Sequence, residues 1–150
     1  MTFDPGASGW TRLPSDNFLA SITAVWQRDQ DGLPSIGIVC EPRHDNGAGK
    51  MHGGIIMTLA DMGLGRAVGR LRNRDRAEGE PWIFSPTAQL DVHFTGPVSI
   101  GDFVYCRPEL SRLTRSLVFM RGTLHVDDGV VASAQGVFKT RWPERRETAL

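Results

Sequence analysis

The sequence has no excess of either charge: 17 Lys and Arg stand against 17 Asp and Glu. No net field exists to hold a polyanion, so nucleic acid is not an expected partner. Cysteine is scarce. Cys40 and Cys106 are the two in 150 residues, too far apart for a CxxC spacing and too few for a disulfide framework, so both are expected as reduced, buried thiols. No apolar run of about 18 residues occurs, and MTFDPGASGW carries no basic stretch followed by an apolar one. Neither a membrane span nor a secretion signal is expected, which leaves the cytoplasm as the default location.

The length fits one domain of ordinary size. Residues 1–14 mix Gly, Pro, Ser and Thr without a period and are expected as a flexible arm able to dock. One domain is expected over 15–142, with a tail over 143–150. SDNFLASI offers an N-cap at Ser15 and a short helix that runs into an extended stretch, Ile22 to Arg28. Asp31-Gly32 then turns the chain into a returning strand, 35–40, stopped by Glu41-Pro42.

After a polar, glycine-rich loop, RHDNGAGKMHGG, comes the strongest helical pattern. Ile55, Leu59 and Met62 recur at three- and four-residue steps, Ala67 follows five residues on, and further apolar residues widen the stripe nearly all round. Such a helix is expected to be buried. The charged stretch RNRDRAEGEP ends it and reads as a solvated loop. Three or four strands are expected beyond it, over 83–95, 102–111, 116–126 and 130–141, with Gly96-Pro97, Arg112 to Arg115 and Asp127-Asp128-Gly129 between them. In the first of these, Ala88, Leu90, Val92 and Phe94 alternate with Thr87, Gln89, Asp91, His93 and Thr95, which predicts one buried and one polar face. The sum is an α+β domain, one long central helix wrapped by a curved antiparallel sheet.

Two features point to chemistry. The first is the junction Asn46-x5-His52-Gly53-Gly54 at the helix start. Paired glycines admit close backbone approach, and the first helical turn offers unpaired N–H groups with a partial positive charge, which suits a developing oxyanion. The second is Asp61, a carboxylate between Ala60 and Met62 on an apolar helix. Burying it unpaired is costly, so it calls either for a structural partner or for a functional role. His52 and Asp61 are nine residues apart, about 13 Å and half a turn of net rotation along a helix. Both can serve one substrate atom only if two such helices run antiparallel, as a two-fold dimer provides.

Loop-Asn, His-Gly-Gly and a helix bearing Leu-Ala-Asp together resemble the PaaI-type (phenylacetate-pathway) branch of hot-dog acyl-CoA thioesterases, within the 4-hydroxybenzoyl-CoA thioesterase-like superfamily. The resemblance covers about residues 16–141. It implies hydrolysis of aryl or medium-chain acyl-CoA without metal or cofactor, by homodimers joined through a continuous sheet and often paired into homotetramers. It also implies that Asp61 acts as nucleophile or base, that Gly53 supplies the oxyanion amide, and that His52 and Asn46 orient the carbonyl and the water. Thr87 falls where relatives carry a Ser or Thr beside the carboxylate, and Gly54 lies on the substrate side of the junction. The turn 113–116 resembles the segment where relatives contact CoA, so Arg115, Ser116 and Arg112 are candidate CoA-binding residues, against the plain alternative of a solvated hairpin. A non-catalytic acyl-CoA binder and a hot-dog enoyl-thioester hydratase or dehydratase are the alternative functions. His44 reads as a loop residue, His93 and His125 as strand-face residues, and Trp10, Trp26, Trp82 and Trp142 as packing at element ends.

Overall fold

A computed structural model describes residues 2–14 and 18–140. Its centre is a single long helix, α2 (Gly53–Asn73), packed against a seven-stranded antiparallel sheet. The chain enters through β1 (Thr11–Arg12) and a one-turn helix, α1 (Phe18–Ile22), whose expected cap at Ser15 lies outside the described residues. Then come β2 (Trp26–Gln30) and β3 (Leu33–Val39), and after α2 the strands β4 (Thr87–Phe94), β5 (Phe103–Leu113), β6 (Leu117–Val126) and β7 (Gly129–Lys139). Across the sheet the order is β1-β2-β3-β5-β6-β7-β4, with antiparallel neighbours throughout. This is the hot-dog arrangement expected from the sequence.

The turns follow local chemistry. Asp31 (φ 53°) and Gly32 (φ 80°) both take the left-handed conformation that a two-residue hairpin needs to match the twist of its strands. In the β6–β7 hairpin the left-handed residue is Asp127 (φ 50°), and Gly129, expected in the turn, begins the strand opposite Val126.

Helix α2 is not buried all round. Its buried residues, Ile56, Leu59, Ala60, Gly63, Leu64, Ala67 and Val68, form one stripe at three- and four-residue steps, while Met57 and Arg66 are exposed and Ile55 and Met62 half-buried. The sheet covers one side of the helix only, so Leu59 and Ala67 are buried as read from the sequence, whereas Ile56 and Gly63 take the places read at Ile55 and Met62. Closest approach comes at Gly63, where a Cβ would lie 2.6 Å from Cys106 Cβ and 2.7 Å from its Sγ. Only glycine lets helix and sheet meet that tightly.

Strand β4 also departs from expectation. It begins at Thr87, not Ile83, and of its four apolar residues Leu90 and Val92 are half-buried while Ala88 and Phe94 are exposed. The strand is an edge: it pairs with β7 on one side and has no pairing on the other among the described residues. A register shift between Thr87 and Gln89 sets Thr87 opposite the buried Phe138, which turns it from the expected polar face to the helix side.

Residues 2–14, read as a flexible arm, lie against the sheet. Trp10 is buried beside Phe103 and Tyr105, Phe3 stacks on Phe103 at 4.9 Å, and β1 pairs with β2. The Phe103 ring occupies the space above Gly37, where a Cβ would come within 2.3 Å of it. No described helix is long and apolar enough to cross a membrane.

Candidate active site

The helix start is built by a tied-down loop. Asn46 N–H donates to Lys50 O (2.8 Å), its Oδ1 accepts from Ala48 N–H (2.8 Å), and His52 N–H donates to His44 O (2.8 Å). His44, read as a loop residue, is in fact a buried strut: its Nδ1 accepts from Glu41 N–H (3.0 Å) and its Nε2 lies 3.2 Å from Ile22 O. His52 is the N-cap of α2, and its Nδ1 accepts the Gly54 N–H at 2.9 Å. An accepting Nδ1 places the ring proton on Nε2, so the exposed edge of this imidazole is a donor. The Gly54 amide is thereby occupied, whereas Gly53 N–H has no partner among the described residues. One free amide, one imidazole donor and a helix N-terminus thus face outward together.

Asp61 sits two turns further along α2, half-buried, with Oδ1 accepting from Thr87 Oγ1 at 2.6 Å. No cation pairs with it among the described residues. Of the structural partners open to a carboxylate at this position, a salt bridge is absent among the described residues and the hydrogen bond to Thr87 leaves Oδ2 uncommitted. The carboxylate lines a cleft of about 610 Å³, with Met62, Gly65, Trp82, Phe84 and Phe138 among its walls. Trp82, read as packing, is 67% exposed there, and Phe84 is 77% exposed. Neither was singled out as a site residue. An aromatic pair in the loop before a strand had no periodic signal to mark it.

Within one chain these two groups are apart. A side chain at Gly53 would lie 3.5 Å from the Phe94 ring, at the far end of β4 from Thr87 and Asp61. Eight residues of helix separate Gly53 from Asp61, about 12 Å. The structure thus brings Asp61 and Thr87 together, and Asn46, His52, Gly53 and Gly54 together, as two half-sites. Helix α2 runs antiparallel to β4.

Arg115 and Ser116 lie in the β5–β6 turn, where the Arg115 carbonyl accepts from Thr140 Oγ1 (2.8 Å) and the Ser116 carbonyl from Thr140 N–H (3.0 Å). Leu117 pairs with Lys139 and Thr87 with Phe138, so this turn is at the Asp61 end of the sheet with β7 between. Arg112 is exposed at a β5 bulge, and neither its guanidinium nor that of Arg115 has a partner among the described residues. His93 is exposed, and His125 stacks on Tyr105 with its Nε2 2.7 Å from Thr123 Oγ1. Burial pushes the Cys106 thiol up to about 12 and raises Cys40 as well, which removes both as nucleophiles.

Residues 48–133 match the family described as Thioesterase superfamily. The esterase-named protein PA0474 of Pseudomonas aeruginosa is 32% identical over 103 residues, which cover 69% of this chain and 72% of that protein. Among solved structures, E. coli PaaI from the phenylacetic acid degradation operon superposes with a TM-score of 0.71 at 15% identity, over 85% of this chain and 86% of the other. The BH2602 protein of Bacillus halodurans, solved with CoA, superposes at 0.68 with 23% identity, over 84% and 80%.

Proposed function

Because the chain belongs to the thioesterase superfamily and is a thioester hydrolase, we propose that it cleaves aryl or medium-chain acyl-CoA to free acid and CoA, at a site completed across a two-fold axis. The observation that carries this is the pair of half-sites at opposite ends of an unpaired edge strand. If β4 pairs antiparallel with its own copy, centred between Leu90 and Asp91, Phe94 of the partner subunit comes opposite Thr87. The partner's Gly53 and the partner's His52 then approach Asp61. Exposed Phe94, Val130 and Met57 would be covered in the process. A homodimer is the smallest active unit on this reading, and pairing of dimers into a tetramer is compatible with it.

The chemistry follows from the half-sites. The thioester carbonyl oxygen sits on the Gly53 amide and the His52 Nε2–H, both fixed before reaction, and a donor so placed stabilises the growing oxyanion by about 3–4 kcal/mol. Asp61, held by Thr87, either takes a proton from water as that water attacks the acyl carbon, or attacks the carbon itself and is freed by water afterwards. Asn46 orients the water. In the first route the tetrahedral intermediate expels the CoA sulfur, which recovers the proton from Asp61, so one water is consumed and the carboxylate is regenerated. Arg112, Arg115 and Ser116, exposed at the Asp61 end, supply cations and a hydroxyl for the CoA phosphates and pantetheine.

Thiol release from a panel of acyl-CoA thioesters tests the reading. Asp61→Ala is expected to abolish turnover and leave binding of an unreactive acyl-CoA ether intact. Turnover unchanged in that variant would overturn the role of Asp61. Binding without release of thiol by the unaltered protein would make it an acyl-CoA binder, and water addition to an enoyl thioester would make it a hydratase.

A further inference from the structure

Resting on that hydrolytic reading, we infer that the cleft beside Asp61 is an acyl channel with a glycine floor and an aromatic end wall, which limits the substrate to acyl groups no longer than about two helical turns. Asp61, Gly65 and Gly69 stand at i, i+4 and i+8 on α2 and therefore share one face, with Asp61 at one end of an approximately 12 Å strip. All three line the same cleft. Met62, Trp82, Phe84 and Phe138 give it apolar walls, beside the hydroxyls of Ser85 and of Thr87, the latter bound to Asp61. Arg66 and Arg70 stand at its flank but are engaged elsewhere, Arg66 Nε with Gln27 (2.9 Å) and Arg70 in an ion pair with Asp29 (3.1 Å). The cleft therefore offers a mainly apolar floor and end wall with a carboxylate at its head and its two cations turned to other partners, which suits an acyl chain better than a charged ligand.

Three glycines of the helix, Gly63 on its sheet side and Gly65 and Gly69 on the cleft, have different causes. Gly63 is required by Cys106, and at Gly69 the Trp82 indole lies 3.0 Å from where a Cβ would be, so a side chain there would displace the ring. At Gly65 the nearest atom is Phe138 Cε1 at 3.5 Å, an ordinary contact, and its φ is not positive. Neither packing nor backbone conformation requires glycine there, although glycine inside a helix costs about 1 kcal/mol relative to alanine. What the missing side chain provides is open space over the channel floor. Ser85 Oγ, also on the cleft wall, is buried and has no hydrogen-bond partner among the described residues, a polar group that an acyl chain would not satisfy. An unpaired hydroxyl in such a place is costly until a bound molecule or water reaches it.

The end wall is held in place from behind. Asn73 Nδ2 donates to Gly69 O (2.9 Å) and Ile83 O (3.0 Å), and Ile83 N–H donates back to Asn73 Oδ1 (2.8 Å). This fork clamps the 82–84 loop to the helix and seats Trp82 across Gly69. Trp82 thus closes the strip, and Asn73 positions it.

Hydrolysis of acetyl-, hexanoyl-, octanoyl- and palmitoyl-CoA by the full-length protein and two variants tests the channel. In Trp82→Ala the ratio of kcat/KM for palmitoyl over octanoyl is expected to rise about tenfold, and in Gly65→Leu the ratio for octanoyl over acetyl to fall by about tenfold or more, since each methylene lost from an apolar pocket carries about that discrimination. Thermal melting confirms that each variant is folded, and affinities for the matching unreactive acyl-CoA ethers repeat the comparison without turnover. Hydrolysis with the same chain-length profile in all three proteins would overturn the channel and leave the hydrolytic reading standing. Absence of hydrolysis in the unaltered protein overturns that reading, and the ether affinities then decide the channel alone: a profile unmoved by both variants overturns it too.

Discussion

Two glycines on one helix, two residues apart, are expected to respond to the same substitution with opposite signs. Alanine gains about 0.5–1 kcal/mol over glycine at an interior helical position wherever its methyl finds room. At Gly65 it finds room, with the nearest neighbour at 3.5 Å, so Gly65→Ala should gain close to that full amount. At Gly63 the same methyl would lie 2.6 Å from Cys106 Cβ and 2.7 Å from Sγ, about 1 Å inside the optimal carbon contact. Cys106 is wholly buried on β5 and cannot swing aside. Overpacking of this kind costs about 1–3 kcal/mol, which outweighs the helical gain. For a chain of this size each 1 kcal/mol moves Tm by about 2–4 °C. Scanning calorimetry at one fixed protomer concentration, which holds any assembly constant, is the assay. Gly65→Ala should melt about 2–4 °C higher and Gly63→Ala several degrees lower. Shifts of the same sign would refute the packing assigned to this helix face.

Thiol titration with a chromogenic disulfide should find no reactive cysteine in the native protein and two after unfolding, because Cys40 and Cys106 are buried with raised pKa; a native thiol that reacts at once contradicts that burial. His125 should make stability fall on mild acidification. Its pKa lies below the ordinary 6.5 because burial disfavours the charged ring and Arg107 adds to this, with Asp128 opposing. The unfolded chain therefore takes up that proton at higher pH than the folded one, so the contribution is whole above about 6.5 and lost as pH drops toward the folded value. His125→Phe should flatten the dependence of Tm on pH in that window, and an unchanged slope would count against it.

Most of the fold is legible in the sequence because its signals are local. The Asp31-Gly32 turn, the apolar helix after His52-Gly53-Gly54 and the alternation in the later strands each state their element within a few residues. What stays hidden is set by distant contacts. The phase of the buried stripe on α2 depends on which side the sheet covers, and Gly63 shows its reason only once Cys106 lies over it. Thr87 was placed near Asp61 by family resemblance alone, and simple alternation put it on the wrong face, since a bulge against β7 is invisible in one strand's pattern. Asp61 and the helix-start residues were readable as unusual positions. The aromatic wall of Trp82 and Phe84 is visible only in the cleft they line.

Sharing of the site between subunits is tested most directly by mixing defects. Asp61→Ala and His52→Ala, each expected to be inactive on its own, are co-expressed with different affinity tags and the mixed dimer is purified through both. If each site takes its carboxylate from one subunit and its carbonyl donors from the other, the mixed dimer contains one wholly intact site in two, and thiol release should return to about half the unaltered rate. A mixed dimer as inactive as its parents would mean that both groups act within one chain, and would contradict the account.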